Sequence, residues 1–157
     1  MKNISLTVNQ AREKIQRYCA YRERCQYEVR EKLFSFGLHT NEVESLMAEL
    51  IIGNFLNEER FARAYCSGKF RIKKWGKNKI KSNLKGLRIP DYLIKSGLTE
   101  IDGDEYFSTL CALVKKKFSS VTGAEWQRKL KTIAFLNGKG FETDLIKDAF
   151  SFIAEHP

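Results

Sequence analysis

A pattern that returns three times along the chain constrains its fold more than any other feature. Thr40, Asn41, Glu42 and Val43 align at an offset of 51 with Asp91, Tyr92, Leu93 and Ile94, and at an offset of 103 with Thr143, Asp144, Leu145 and Ile146. The same offsets carry Met47 onto Leu98 and Phe150, and Leu50 onto Ile101 and Ile153. Upstream, Leu33, Phe36 and Leu38 map to Leu84, Leu87 and Ile89, then to Leu136, Lys139 and Phe141. A self-similarity of about 50 residues marks units that gain stability by stacking on their neighbours.

Within each copy the apolar spacing is helical. Val43, Met47 and Leu50 stand at i, i+4 and i+7, as do their counterparts in the other copies, so each set forms one buried stripe of an amphipathic helix. Thr40, Asp91 and Thr143 are expected as N-caps, and Gly37 and Gly140 as the left-handed residues that close the preceding helices. Asn57 before Glu58 and Glu59 reads as another helix start, with Asp104 and Glu105 as a second case. Tyr18-Cys19, Tyr65-Cys66 and Leu110-Cys111 also correspond, but the distance to the next anchor (Val29, Ile80, Thr132) grows, so the copies are expected to differ mainly in that first loop. No stretch sustains the period-two alternation of a strand. The expected fold is all-α: nine helices in three tandem three-helix, helix-turn-helix-like repeats at 11–54, 55–101 (basic) and 102–154, forming an elongated, curved array.

Composition narrows the function. Hydrophobic residues at 43% and only two prolines exclude disorder and low complexity. The longest charge-free apolar-rich run, 50–57, is far below the roughly 20 residues of a membrane span, so a cytoplasmic protein without a membrane contact is expected. Cys19, Cys25, Cys66 and Cys111 show no Cys-x-x-Cys pair and no zinc-like spacing to His39 or His156, which predicts reduced core thiols, no metal and no cofactor. No P-loop, nucleophile elbow, dinucleotide fingerprint or His-Glu-x-x-His is present, so no catalytic residue is assigned.

Charge is where the chain departs from the ordinary. Residues 60–90 hold eleven of its 28 bases and no acid, leaving 17 bases against 19 acids elsewhere. A patch this concentrated points to a polyanionic or acidic partner. Over 78–88 a helix would gather Ile80, Leu84 and Leu87 in one sector of about 60°, with Lys77, Lys81, Lys85 and Arg88 in the adjoining sector of about 80°. Before it, Lys73-Lys74-Trp75-Gly76-Lys77 brackets an aromatic ring with bases at a glycine that permits a tight turn, and Trp75 there would stack on a base or anchor an interface. The candidate partner-binding or nucleic-acid-binding residues are Arg71, Lys73, Lys74, Trp75, Lys77, Lys79, Lys81, Lys85 and Arg88.

These residues resemble a family. EERFARAY (58–65) followed by KKWGKNKIKSNLKGLRI (73–89) is similar to the central signature of the RecX regulatory proteins, an acidic-Arg-Phe-Ala helix, a Gly-Trp-Gly-like turn and a basic helix. Phe61, Tyr65, Gly76, Ile80 and Leu84 carry the structural part of that signature, and Lys74 stands where the family often has glycine. YRERCQYEVREKLFSFGL (21–38) and FLNGKGF (135–141) resemble the opening and closing repeats. The resemblance implies a cytoplasmic, non-enzymatic bacterial protein that binds the RecA filament, inhibits its strand-exchange and coprotease activities, and so modulates recombinational DNA repair and the SOS response. A monomer is expected, with a single- or double-stranded DNA contact open. Two other classes stay in view: a helix-turn-helix DNA-binding protein acting independently of RecA, and a small cysteine-dependent enzyme.

Overall fold

The computed structural model describes residues 5–157, and among them every regular element is a helix. α1 (Val8–Tyr21), α2 (Gln26–Ser35) and α3 (Thr40–Ile52) form the first unit. α4 (Glu58–Arg71), α5 (Lys77–Gly86) and α6 (Asp91–Leu98) form the second, and α7 (Gly103–Ser120), α8 (Glu125–Gly138) and α9 (Thr143–Glu155) the third. Helices that pair extensively do so inside their own unit, α4 with α6 and α7 with α9 most closely. The accessible surface of 9783 Å² exceeds the roughly 8,100 Å² of a compact monomer of this mass, as tandem packing of three-helix units requires.

Side-chain chemistry sets several helix starts. Asn57 Oδ1 accepts the Arg60 N–H at 2.9 Å and Asp102 Oδ2 accepts the Glu105 N–H at 2.9 Å, each satisfying a donor with no partner inside its helix. Glu58, Glu59, Asp104 and Glu105 occupy the first turns behind these caps. Thr40, Asp91 and Thr143 are not caps: each is the first residue within its helix, and His39, Pro90 and Glu142 precede it. The carbonyls of these three already accept from Val43, Ile94 and Ile146, so the helical bonding starts one residue earlier than the polar side chains imply. At His39 the cap works in reverse, with its N–H donating to Glu42 Oε1 at 3.0 Å.

Gly37 and Gly140 adopt φ of 83° and 98°, as expected. The aligned position of the second unit is Arg88, which takes φ 62° despite its Cβ.

The third unit is longer in its helices rather than in its first loop. Its α7–α8 connection spans 121–124, no longer than 22–25 in the first unit. The added residues extend α7 to 18 residues against 14 in α1 and α4, and start α8 well before Thr132. Thr132, in a position that is apolar in the other units, is fully buried, and its hydroxyl donates to the Arg128 carbonyl at 2.8 Å.

The buried residues divide into two clusters. One fills the first unit around Ile15, Val29, Leu33, Val43 and Leu46. The other runs continuously through the second and third units, where Phe70, Tyr106 and Phe141 stack in a row at centroid distances of 5.6 and 5.3 Å. From the first unit, buried Cys25 joins this second cluster and half-buried Tyr27 packs against it.

Candidate functional site

The basic segment folds as the end of α4, a turn over 72–76, and α5. Ile80 and Leu84 are fully buried and Leu87 packs against the same core, so the apolar sector docks as its spacing predicts. Lys81 and Lys85 are exposed on the adjoining face and Lys77 is half-buried, its Nζ 4.8 Å from the centre of the Tyr106 ring.

Arg88 leaves this line. α5 ends at Gly86 with Leu87 as its cap, and the left-handed backbone at 88 turns the guanidinium back onto Tyr27 of the first unit, 4.8 Å from the ring centre. Arg71 is also set apart, lying 3.8 Å from Glu105. Among the described residues, Lys69, Lys73, Lys74, Lys77, Lys79, Lys81 and Lys85 have no carboxylate within ion-pair distance; the carboxylate-paired bases of the segment are Arg60, Arg63 and Arg71. A row of cations without carboxylate partners keeps most of its field for an external anion.

Trp75 is half-buried against the core and flanked by cations, with Lys69 Nζ 5.0 Å and Lys79 Nζ 4.4 Å from its ring. The turn before it is tight at Lys74, φ 57°, rather than at Gly76, whose φ of −77° suits any residue. Gly76 is there for contact: a Cβ would fall 2.2 Å from the Gly140 carbonyl carbon. Its N–H donates to the Lys139 carbonyl at 2.7 Å, and the Asn78 N–H donates to the Gly140 carbonyl at 2.9 Å. The Lys77 N–H donates to Tyr106 Oη at 3.0 Å, and that hydroxyl donates to Glu142. The start of α5, where free N–H groups would ordinarily attract a phosphate, is therefore closed by the third unit. Anion binding falls to the side chains.

The third unit contributes cations that a count along the chain misses. Lys139, which takes the place of Phe36 and Leu87 in the repeat, is half-buried beside Lys79 and Lys116, and its pKa is lowered below 10.5, first by burial and then by those two charges. Lys117 and Lys139 flank the exposed Phe135 ring at 4.0 and 5.8 Å. The cationic face thus continues from α5 across the joint between units. The signals in the sequence were the Lys115-Lys116-Lys117 run and a lysine at an apolar repeat position.

The cysteines hold no activated nucleophile. All four are free and buried; burial pushes Cys25 up to about 12 and Cys19 and Cys66 to about 11, and raises Cys111 as well. Such thiols stay protonated at neutral pH, the opposite of a reactive thiolate. Among the described residues no three of His, Cys, Asp and Glu gather as a metal site, and no helix is long and apolar enough to cross a membrane.

Comparison with known proteins recognises the second and third units separately. Residues 57–98 match the model of the RecX second three-helix domain and residues 104–150 that of the third. The regulatory protein RecX of Acinetobacter baylyi is 32% identical over 128 residues, covering 82% of this chain and 78% of that protein. The RecX of Vibrio vulnificus is 26% identical over 130 residues, covering 83% and 84%. The crystal structure of RecX from Lactobacillus salivarius shares the fold with a TM-score of 0.82 at 21% identity, over 94% of this chain and 96% of that one. With two of its three units matched in order and a relative 32% identical over 128 residues, the chain belongs to the RecX family of regulatory proteins.

Proposed function

We propose that this protein is a non-enzymatic regulator that binds the RecA filament in the cytoplasm and suppresses strand exchange and the coprotease activity, and through them recombinational repair and the SOS response. The observation that carries the reading is the unpaired cationic face built from Lys73, Lys74, Lys77, Lys79, Lys81 and Lys85 around Trp75. A filament of protein subunits on DNA presents both acidic side chains and phosphates along a groove. A monomer with three units in series reaches more than one subunit there, and its face touches single- or double-stranded DNA within the same groove.

The independent DNA-binding alternative is less well supported. In a helix-turn-helix unit the third helix enters the major groove, and α6 starts at Pro90-Asp91 with an acid where base edges and phosphates would lie. The cations sit on the second helix instead.

RecA ATPase and strand exchange on single-stranded DNA, with and without the protein, test this directly. Replacing Lys81 and Lys85 together by Ala should weaken inhibition several-fold while changing stability by no more than about 0.5 kcal/mol. Leu84→Ala should instead cost about 2–5 kcal/mol of stability through the buried cavity it leaves. Unchanged inhibition in the double variant removes the α5 face from the mechanism.

A further inference from the structure

A groove of about 570 Å³ opens between α4, the 22–28 stretch of the first unit and Leu87. Its floor is apolar: Phe61, Ala64, Tyr65, Gly68, Ile72 and Leu87, with Ile72 itself 79% exposed. The acids at its edge are already paired, Glu23 with Arg60 at 2.5 Å and Glu28 with Arg22 at 2.6 Å. Lys69 and Lys73 line the same groove and have no carboxylate partner among the described residues. The result is an apolar trough with two surplus positive charges.

Gly68 gives the trough its meaning. It lies inside α4, where glycine is the least favourable residue after proline. A Cβ added there would meet nothing within 4 Å. Gly97 in α6 is the opposite case, since its Cβ would sit 2.8 Å from the Ala62 carbonyl oxygen and the packing of α4 on α6 leaves no room for it. Among the described residues no contact accounts for the missing side chain at 68, and the empty space above it belongs to the groove.

We propose that this groove receives an acidic segment of a partner protein, with one large apolar or aromatic side chain lodged over Gly68 and flanking carboxylates on Lys69 and Lys73. An apolar anchor seated in a pocket and rimmed by charge is the arrangement of a protein-interface hot spot. A nucleic acid of the same length would seek a cation for each of several phosphates rather than a hydrocarbon floor. That RecA supplies the segment rests on the reading above; the chemistry of the groove does not.

The full-length protein is titrated calorimetrically with a random copolymer of glutamate and tyrosine, with polyglutamate, with a single-stranded oligonucleotide and with RecA filaments. The copolymer should bind about tenfold more tightly than polyglutamate, and Gly68→Leu should abolish that preference and weaken filament binding by a similar factor. Gly68→Ala, a smaller intrusion, should reduce the preference in part while raising the thermal midpoint by about 2–4 °C. Charge reversal at Lys69 and Lys73 should weaken both polymers. A Gly68-dependent preference for the copolymer in a protein that ignores RecA keeps the groove and discards RecA as its partner. Equal affinity for the two polymers overturns the proposal, as does a preference that survives Gly68→Leu at unchanged helical content, or a Gly68 dependence confined to the oligonucleotide.

Discussion

Lys74 ends α4 by donating its N–H to the Phe70 carbonyl at 3.0 Å, and it does so at φ 57°. A left-handed backbone costs a residue with a Cβ about 1–2 kcal/mol, so glycine would suit this place better than lysine. Lys74→Gly should therefore raise stability by about 0.5–1 kcal/mol in urea denaturation, part of the relief being offset by the freer unfolded chain. Lys74→Ala keeps the Cβ and should not. Lys139 is the second lysine at odds with its site. Its folded pKa lies below its ordinary 10.5, so its charged form is disfavoured by folding and stability is lost as pH falls from that value through the folded pKa. Lys139→Leu, which restores the apolar pattern of Phe36 and Leu87, should raise the thermal midpoint at pH 7, and the gain should shrink as the pH approaches 10.5. Melting curves of the two proteins at both pH values check the sign. The same variant should bind polyanions less tightly, because it removes a cation from the continued face.

At the scale of the element, α5 is poorly equipped to stand alone. It carries no acid in its first turn, and Lys77 and Lys79 place positive charge at the positive end of its dipole. Its start is held from outside, by the Lys139 and Gly140 carbonyls and by Tyr106. Burial pushes the Tyr106 hydroxyl well above the usual phenol range and its hydrogen bond to Glu142 adds to the shift, so the group remains a donor to Glu142 and an acceptor from the Lys77 N–H. Tyr106→Phe keeps the ring between Phe70 and Phe141 and removes only the hydroxyl. It should cost about 1–3 kcal/mol, since it strands a part-buried N–H at the helix start, and hydrogen exchange should rise first at the amides of residues 77–80. The placement of the cationic face thus depends on a tyrosine from the next unit.

At the scale of the molecule, the two core clusters define how the units act together. The second and third share one continuous core, whereas the first keeps its own and meets the second through Cys25, the Arg60–Glu23 pair, the Gln26 N–H on Glu58 and the Arg88–Tyr27 contact. These joints are mostly polar and contribute less than the shared hydrophobic core between the other two. Both tryptophans, Trp75 and Trp126, lie in the second and third units. Tryptophan fluorescence should accordingly report a later urea transition than far-ultraviolet circular dichroism, which sees all helices; coincident curves would mean the three units unfold as one. The sequence by itself determined the units, their helical character and the docking of Ile80 and Leu84, because apolar periodicity and repeat offsets are local properties that survive without knowledge of the fold. It also marked the acid-free segment, because charge is counted residue by residue. Only the tertiary structure decided that Arg88 turns away while Lys139 meets Lys79 and Lys116, that Gly76 is a contact rather than a hinge, and that α5 is capped by Tyr106. Those pairings join residues tens of positions apart with no period between them, and they follow from how one unit's side chains fill the space beside the next.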